Sequence, residues 1–276
     1  MFRTLPIICL LLTGWNSVTT TVSAQDMRVY TTVSELTNPG SAPRVLSHSL
    51  TLFHAGKVYD YMEEAGEVVI YEPVHHRFVI LGKNYLATEV PFSEVNHSLD
   101  VTKSETTRML EQMRNQGDER SLRLASLVEF QFAPEFETTL NEAEQRFVMQ
   151  AEPLQYTVKT SRVESPQCIQ QYLDYADWAA RLNFVLRRNA TFPAARLKLN
   201  DSLRQAQLLP TQVDLQFQQG PRAELMRFRA DHQFSWEFQS VDRRLISHWE
   251  RELRSNNIRW LSFPEYQQQL VAKRDR

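Results

Sequence analysis

The sequence has little glycine and cysteine, and it lacks the motifs of several common enzyme classes. Only 7 of its 276 residues are glycine and 2 are cysteine. Neither G-x-G-x-x-G nor G-x-x-x-x-G-K-[ST] occurs, so the two common glycine-rich phosphate loops are excluded. The patterns G-x-S-x-G, H-E-x-x-H and C-x-x-C are also absent, which excludes the familiar hydrolase, zinc-protease and dithiol motifs. We therefore expect a noncatalytic protein rather than an enzyme, with no catalytic residues, no cofactor and no metal.

The charge balance and the lack of long apolar runs exclude further classes. The formal net charge is −2, and no basic run is longer than Arg187-Arg188 or Arg243-Arg244. A near-neutral mixture of charges is not typical of nucleic-acid-binding proteins, so no nucleic-acid partner is predicted. After residue 24 no apolar run approaches the roughly 20 residues that a transmembrane helix needs. The mature chain is predicted to have no transmembrane segment.

The N-terminal segment has the pattern of a secretory signal peptide. Arg3 is followed by an apolar run from Leu5 to Leu12 and by the small-residue sequence Val22-Ser23-Ala24. This order predicts cleavage after Ala24 and export to the periplasm or the medium. A retained amphipathic anchor is the alternative. Cleavage would remove Cys9 and leave Cys168 as the one cysteine, so no intrachain disulfide is expected.

The stretch from Leu46 to Phe92 predicts an antiparallel meander. Four short runs of apolar and alternating residues are separated by turns at His54-Ala55-Gly56, Glu64-Ala65-Gly66 and Pro73 to His76. Turns this short can join only neighbouring antiparallel strands. A further strand is predicted at Tyr85 to Val90. Since the later runs are apolar on both faces, helices should cover the second face.

The rest of the chain alternates helical and strand patterns. Apolar residues spaced three and four apart predict helices, and period-two alternation predicts strands. The predicted helices are Ser93 to Gln116, Pro166 to about Arg188, Phe192 to about Ala206 and Val241 to Arg254. The predicted strands are Leu124 to Phe132, Phe136 to Leu140, Gln145 to Ala151, Leu154 to Val163, Gln212 to Phe217 and Glu224 to Ala230, the last two forming a hairpin around Gln219-Gly220-Pro221.

This order predicts an α+β fold built on one large, curved, mainly antiparallel sheet. The sheet should be half-barrel-like, with helices packed on one face. No repeat or low-complexity linker divides the chain, so one domain is expected. The predicted organisation is a signal peptide over 1–24, a polar lead-in segment over 25–44, a single α+β domain over 45–263 and a polar C-terminal tail over 264–276. The lead-in segment could contain a strand at Met27 to Val33 and need not belong to the core.

Several polar clusters suggest chemistry but have simpler explanations. His75-His76 with Glu72 offers too few ligands for a metal, and a solvated turn is the preferred interpretation. Asp60 and Glu72 could form an acid and base pair across neighbouring strands, although outward charges are common on antiparallel sheets. Asp174 and Asp177 lie three residues apart on one predicted helix face, where a solvated face is expected.

Aromatic residues on the predicted strands indicate a ligand site. A curved sheet with an aromatic face, roofed by helices, could enclose an apolar pocket, although ordinary core packing is the simpler explanation for any single residue. The candidate ligand-binding residues are Tyr59, Tyr61, Tyr71, Phe78, Phe130, Phe132, Phe147, Tyr156, Phe228 and Trp236.

One stretch resembles a known family. Leu52-Phe53-His54-Ala55-Gly56-Lys57-Val58-Tyr59-Asp60-Tyr61, followed by Val68-Val69-Ile70-Tyr71-Glu72-Pro73, is similar to the strand, glycine turn and strand pattern of exported bacterial LolA-like proteins. The resemblance covers about one fifth of the chain. It implies a half-barrel covered by helices that carries or senses lipidated ligands. The whole chain also resembles uncharacterised exported bacterial proteins.

Together these observations predict an exported, noncatalytic envelope protein that binds an apolar or lipid-like ligand in the concavity of its sheet. One alternative is a structural or protein-interaction module that docks an envelope protein partner through a sheet edge or exposed helix. A second alternative is a hydrolase of unrecognised type that uses dispersed Asp, Glu and His residues.

Overall fold

The computed structural model describes residues 26–37, 42–187, 190–218 and 225–274. The predicted signal peptide, residues 1–24, lies outside these ranges. The predicted turn Gln219-Gly220-Pro221 lies outside them as well.

One large open sheet organises the described residues. Its spatial order is β12-β6-β5-β4-β3-β2-β1-β11-β10-β9-β8-β7, and neighbours are antiparallel except for the parallel pair β12 and β6. The strands are β1 Met27–Glu35, β2 Arg44–His54, β3 Lys57–Met62, β4 Glu67–Glu72, β5 Arg77–Leu81, β6 Leu86–Pro91, β7 Glu137–Asn141, β8 Arg146–Ala151, β9 Leu154–Ser161, β10 Leu209–Gln218, β11 Leu225–Ser235 and β12 Arg259–Leu261. The predicted meander is present as β2 to β6.

Six α-helices lie within the described ranges. They are α1 Phe92–Gln116, α2 Glu119–Phe132, α3 Pro166–Leu186, α4 Ala194–Gln205, α5 Ser240–Leu253 and α6 Phe263–Arg274. The predicted α+β class, with a large and mainly antiparallel sheet and packed helices, is confirmed.

The two faces of the sheet pack against different helices. Alternate residues of a strand point to opposite faces. The front face, which carries Phe53, Phe78 and Tyr156, forms one core with buried side chains of α1, α3, α4 and α6. The back face of β2 to β5, which carries residues such as Leu52 and Ile70, packs against α5. The double burial explains why these strands are apolar on both faces.

Strand β1 confirms the strand predicted at Met27 to Val33, but it belongs to the core instead of a peripheral lead-in segment. It lies in the middle of the sheet, where it pairs with β2 on one side and β11 on the other. Met27 and Val29 are almost fully buried in the front core. Most side chains of the strand are partly exposed and few are fully buried, which explains its polar sequence.

The predicted strand from Leu124 to Phe132 is wrong, because this segment belongs to helix α2. Gly117 ends α1 in the left-handed conformation, with φ of 70°. The Asp118 side chain then caps α2 by accepting a hydrogen bond from the Ser121 amide at 3.0 Å. Only Ala125 of α2 is buried, so its apolar residues give no clear helical stripe.

The C-terminal segment differs from the predicted polar tail. Residues 263–274 form α6, and Phe263 and Tyr266 are buried in the front core. Ser262 and Glu265 form reciprocal hydrogen bonds at the start of this helix, with Ser262 N to Glu265 Oε2 at 2.8 Å. This S-x-x-E arrangement is a capping box, so the sequence contained a helix signal there.

Candidate functional site

A cavity lies on the front face, between strands β9 to β11 and helices α2 to α4. Its volume is ≈ 1080 Å³ and it is half-enclosed. Ligand pockets in proteins generally span about 300–1,000 Å³, so the space is large enough for a lipid-sized molecule. Apolar side chains line much of it.

The sheet side of the cavity is built from two rows of apolar side chains. Leu215 of β10 pairs with Tyr156 of β9 and with Phe228 of β11. Phe217 of β10 pairs with Leu154 and Met226 on the same two strands. Because the positions along each strand are two residues apart, both rows face the same side. Three adjacent strands thus form a continuous apolar floor.

Aromatic side chains from the helices form the opposite wall. Phe130 of α2, Phe184 of α3 and Phe192, which precedes α4, all line the cavity. The Phe192 ring lies 4.2 Å from that of Phe132 and 5.3 Å from that of Phe184, centroid to centroid. These ring contacts connect α2 and α3 to the segment that precedes α4.

Aromatic contacts dominate the other half of the front face. Phe92 and Trp178 stack with ring centroids 3.7 Å apart, and Phe78 and Tyr71 pack around Phe92. All these residues belong to the front core. The lining residues place the cavity over the β9 to β11 half of the sheet.

Two arginines line the cavity, Arg187 and Arg196, and two buried polar residues lie close to Arg196. Arg196 of α4 lines the cavity. Burial raises the pKa of Tyr172, and the positive charge of Arg196 partly offsets this effect. Burial, reinforced by the charge of Arg196, lowers the pKa of His232 to about 3. His232 is therefore neutral at neutral pH.

The His232 ring has one satisfied nitrogen. Its Nδ1 lies 2.9 Å from Thr31 Oγ1, on the neighbouring strand β1. Its Nε2 is buried and has no hydrogen-bond partner within the described part of the chain. An unsatisfied buried polar atom of this kind is uncommon in folded proteins.

The ten sequence-predicted aromatic residues fall into different places. Phe130, Tyr156 and Phe228 line the cavity, and Phe132 packs behind it against Phe192. The remaining six lie elsewhere: Tyr59 and Tyr61 on the back face against Trp249, Tyr71, Phe78 and Phe147 in the front core, and Trp236 at the surface beside Phe234.

Sequence reasoning missed several cavity residues. Leu215 and Phe217 lie two positions apart on one predicted strand, so the sequence indicates that they share a face. Leu154 is the first residue of another predicted strand. Phe192 carried no such signal because it lies between two helices. Its position depends on how α3 and α4 pack against the sheet.

The candidate acid and base pair is not assembled. Asp60 faces the front, where it accepts hydrogen bonds from Thr51 Oγ1 at 2.9 Å and Tyr175 Oη at 2.6 Å. Glu72 faces the back, where it pairs with Lys57 at 2.7 Å and Arg77 at 2.7 Å. The sheet separates the two carboxyl groups.

Asp174 and Asp177 form ion pairs with an arginine side chain of the same chain. Arg204 of α4 lies 3.3 Å from an Asp174 oxygen and 2.9 Å from an Asp177 oxygen. Asn200 donates a further hydrogen bond to Asp177 at 2.7 Å. These contacts join α3 to α4, so the pair is explained by helix packing.

The other sequence features give no second site. Within the described ranges, no three His, Cys, Asp or Glu side chains lie close enough together to hold a metal, and Cys168 is buried. No helix in that part of the chain is both long and apolar enough to cross a membrane. Comparison with protein-family models and with curated protein sequences gives no match for this chain.

Proposed function

We propose that this protein is an exported, noncatalytic envelope protein that binds an apolar or lipid-like ligand in the cavity of its front face. The observation that supports this proposal is the ≈ 1080 Å³ space between the apolar floor of β9 to β11 and the aromatic side chains of α2 to α4. Transfer of an acyl chain into such a site is favoured by about 0.8 kcal/mol for each buried methylene group. A chain of ordinary lipid length would therefore gain enough free energy to offset the cost of ordering it.

Binding of a fluorescent acyl probe to the purified, delipidated protein tests the proposal. Ala180 of α3 lines the cavity, and Ala180→Trp should fill part of the space and weaken probe binding about tenfold or more. Ala272→Trp, at an exposed position of α6, is the matched control and should bind like the unsubstituted protein. Mass spectrometry of a denaturing extract would identify any lipid that co-purifies.

Two results would contradict the proposal. The first is the absence of both a co-purified lipid and saturable probe binding. The second is saturable binding that Ala180→Trp and Ala272→Trp leave equally unchanged, since the probe would then occupy another surface. Thermal unfolding of both variants checks that the substitutions preserve the fold.

Export is part of the same proposal and rests on the Arg3, Leu5 to Leu12 and Ala24 pattern. Expression of the full sequence in a bacterium, followed by fractionation, should place the mature protein outside the cytoplasm with Gln25 as its first residue. Recovery of an uncleaved chain in the cytoplasm would contradict it.

The second candidate function is docking of another envelope protein on the α1 and α2 hairpin. Val101, Met109, Leu122 and Leu124 are large apolar side chains of this hairpin with about two fifths of their surface exposed. Joint replacement of Leu122 and Leu124 by Gln should then abolish a specific crosslinked heterodimer in the envelope. Recovery of the monomer alone after crosslinking of the unsubstituted protein would exclude this function.

A further inference from the structure

Arg196 places a positive charge on the wall of an otherwise mainly apolar cavity. Within the described part of the chain, no carboxylate forms an ion pair with it. Arg204, two helical turns further along α4, differs because it is paired with Asp174 and Asp177. Placing an ionised group in a weakly polar environment without an oppositely charged partner is unfavourable. Arg196 thus lacks the carboxylate partners that Arg204 has.

The charge of Arg196 acts on three side chains that are uncharged at neutral pH, Tyr156, Tyr172 and His232. Burial and this charge lower the pKa of His232, and burial raises the already high pKa of both tyrosines. Tyr172 offers it a neutral hydrogen-bond partner, and the nearby His232 Nε2 has no partner in the described ranges. Arg187 also lines the cavity, but its side chain is exposed, so water screens its charge.

We infer that the cavity selects amphiphiles with an anionic headgroup, a carboxylate or a phosphate, which forms an ion pair with Arg196 while the apolar chain lies on the floor of β9 to β11. Guanidinium groups bind both anions through paired charge-assisted hydrogen bonds. The apolar chain covers the rows that contain Tyr156 and Phe217. This inference rests on the proposed function and specifies the ligand class for the same cavity.

Three ligands that share one hydrocarbon chain and differ in headgroup distinguish headgroup recognition from burial of the hydrocarbon chain. Oleate, oleyl phosphate and oleyl alcohol would each be used to displace the fluorescent acyl probe, at concentrations below micelle formation. The acidic ligands should displace the probe at concentrations about tenfold or more below that of the alcohol. A preference for oleate over oleyl phosphate, or the reverse, tells which anion the site favours.

Substitution of Arg196 tests whether this residue is the source of the preference. Arg196→Gln should abolish the advantage of the acidic ligands and leave binding of oleyl alcohol unchanged, whereas Arg196→Lys should retain part of the advantage. Arg251→Gln, on the exposed side of α5 and away from the cavity, is the matched control and should behave like the unsubstituted protein.

The outcomes distinguish this inference from the proposed function. Equal displacement by all three ligands would overturn the anionic preference and leave the apolar carrier proposal standing. Saturable displacement by none of them would overturn both. An equal loss of affinity for all three ligands in Arg196→Gln would assign the residue to cavity shape and overturn its headgroup role. If Arg196→Gln fails to fold, the unsubstituted protein still decides, because added salt should weaken binding of the acidic ligands only.

Discussion

Asp60 is a buried carboxyl group in the front core whose ionised form is disfavoured. Burial raises its pKa above the ordinary 3.8, although hydrogen bonds from Tyr175 and Thr51 act in the opposite direction. Because its pKa is higher in the folded than in the unfolded chain, its stabilising contribution is complete below pH 3.8 and is lost as pH rises through the raised value. Asp60 therefore makes the fold relatively less stable at neutral pH.

Replacement of Asp60 by Asn should remove this pH dependence. The free energy of unfolding of Asp60→Asn, relative to that of the unsubstituted protein, should increase as the pH is raised from 4 toward neutral. Urea unfolding across this range measures it. Asp100→Asn, at an exposed position of α1, is the control. A constant difference between Asp60→Asn and the unsubstituted protein would contradict the buried-carboxyl explanation.

His232 has the opposite pH dependence. Burial and the charge of Arg196 lower its pKa from 6.5 to about 3. A lowered histidine pKa contributes stability that is present above pH 6.5 and is lost as pH falls toward 3. His232→Gln should therefore lose less stability than the unsubstituted protein between pH 6.5 and pH 4, as followed by thermal unfolding. If stability depends on pH in the same way in both proteins, the buried-imidazole explanation is contradicted. His97→Gln, at an exposed position, is the control.

At the scale of elements, the junction between α1 and α2 depends on one glycine. Gly117 has φ of +70°, and a Cβ atom added at this position would meet no neighbouring atom within 4 Å. A substitution at this position acts through the backbone alone, because only glycine adopts such angles without strain. The preceding and following helices are both mostly exposed, so little packing would compensate.

Gly117→Ala should therefore lower the free energy of unfolding by about 1 kcal/mol and increase proteolysis between α1 and α2. Gly82→Ala is a suitable control, since Gly82 has a negative φ of −100° and its nearest neighbour would lie 3.6 Å from the new side chain. We expect Gly82→Ala to have the smaller effect in chemical denaturation. Equal losses for the two variants would argue against the backbone explanation.

Trp249 joins helix α5 to the back face through contacts with two aromatic rings. The Trp249 ring lies 6.1 Å from that of Tyr59 and 5.6 Å from that of Tyr61. Trp249→Ala should destabilise the protein by about 3–5 kcal/mol because it leaves a cavity in the back core. Trp260→Ala should cost much less, since Trp260 is 46% exposed. Urea unfolding of the two variants measures the difference, and a similar loss for both would contradict the proposed role of the contact.

The sequence predicted those elements whose signals are local. The turns at Ala55-Gly56 and Glu64-Ala65-Gly66 define the meander through residues within a few positions of one another. Helix α2 was missed because Val128, Phe130 and Phe132 alternate like a strand and its capping residue, Asp118, lies outside the apolar run. Helix α6 was missed because its polar composition outweighed the capping box at Ser262 and Glu265.

At the scale of the whole molecule, the cavity could be anticipated only in outline. A concave aromatic face was predicted, and Phe130, Tyr156 and Phe228 do line the space. The sequence could not show that Tyr71 and Phe78 would be covered by Phe92 and Trp178, because that depends on how α1 and α3 cross the sheet. Which half of the front face is filled is therefore a tertiary property.

This uneven filling predicts uneven local stability. The β9 to β11 half borders the cavity, so its amides should exchange faster in hydrogen-exchange experiments than those of β3 to β5. Addition of oleate should slow exchange in β9 to β11 and leave β3 to β5 unchanged. Uniform protection of both halves after addition of oleate would contradict this prediction.

The central position of β1 also constrains the order of folding. Thr31 and His232 are hydrogen-bonded neighbours although they lie 201 residues apart in sequence. The meander β2 to β6 can form from contacts within a short segment, but the pairing of β1 with β11 requires closure of a loop that spans most of the chain, and such long-range pairings form slowly. During synthesis, one edge of β1 consequently has to wait for its partner until the 201 residues from Thr31 to His232 have been made.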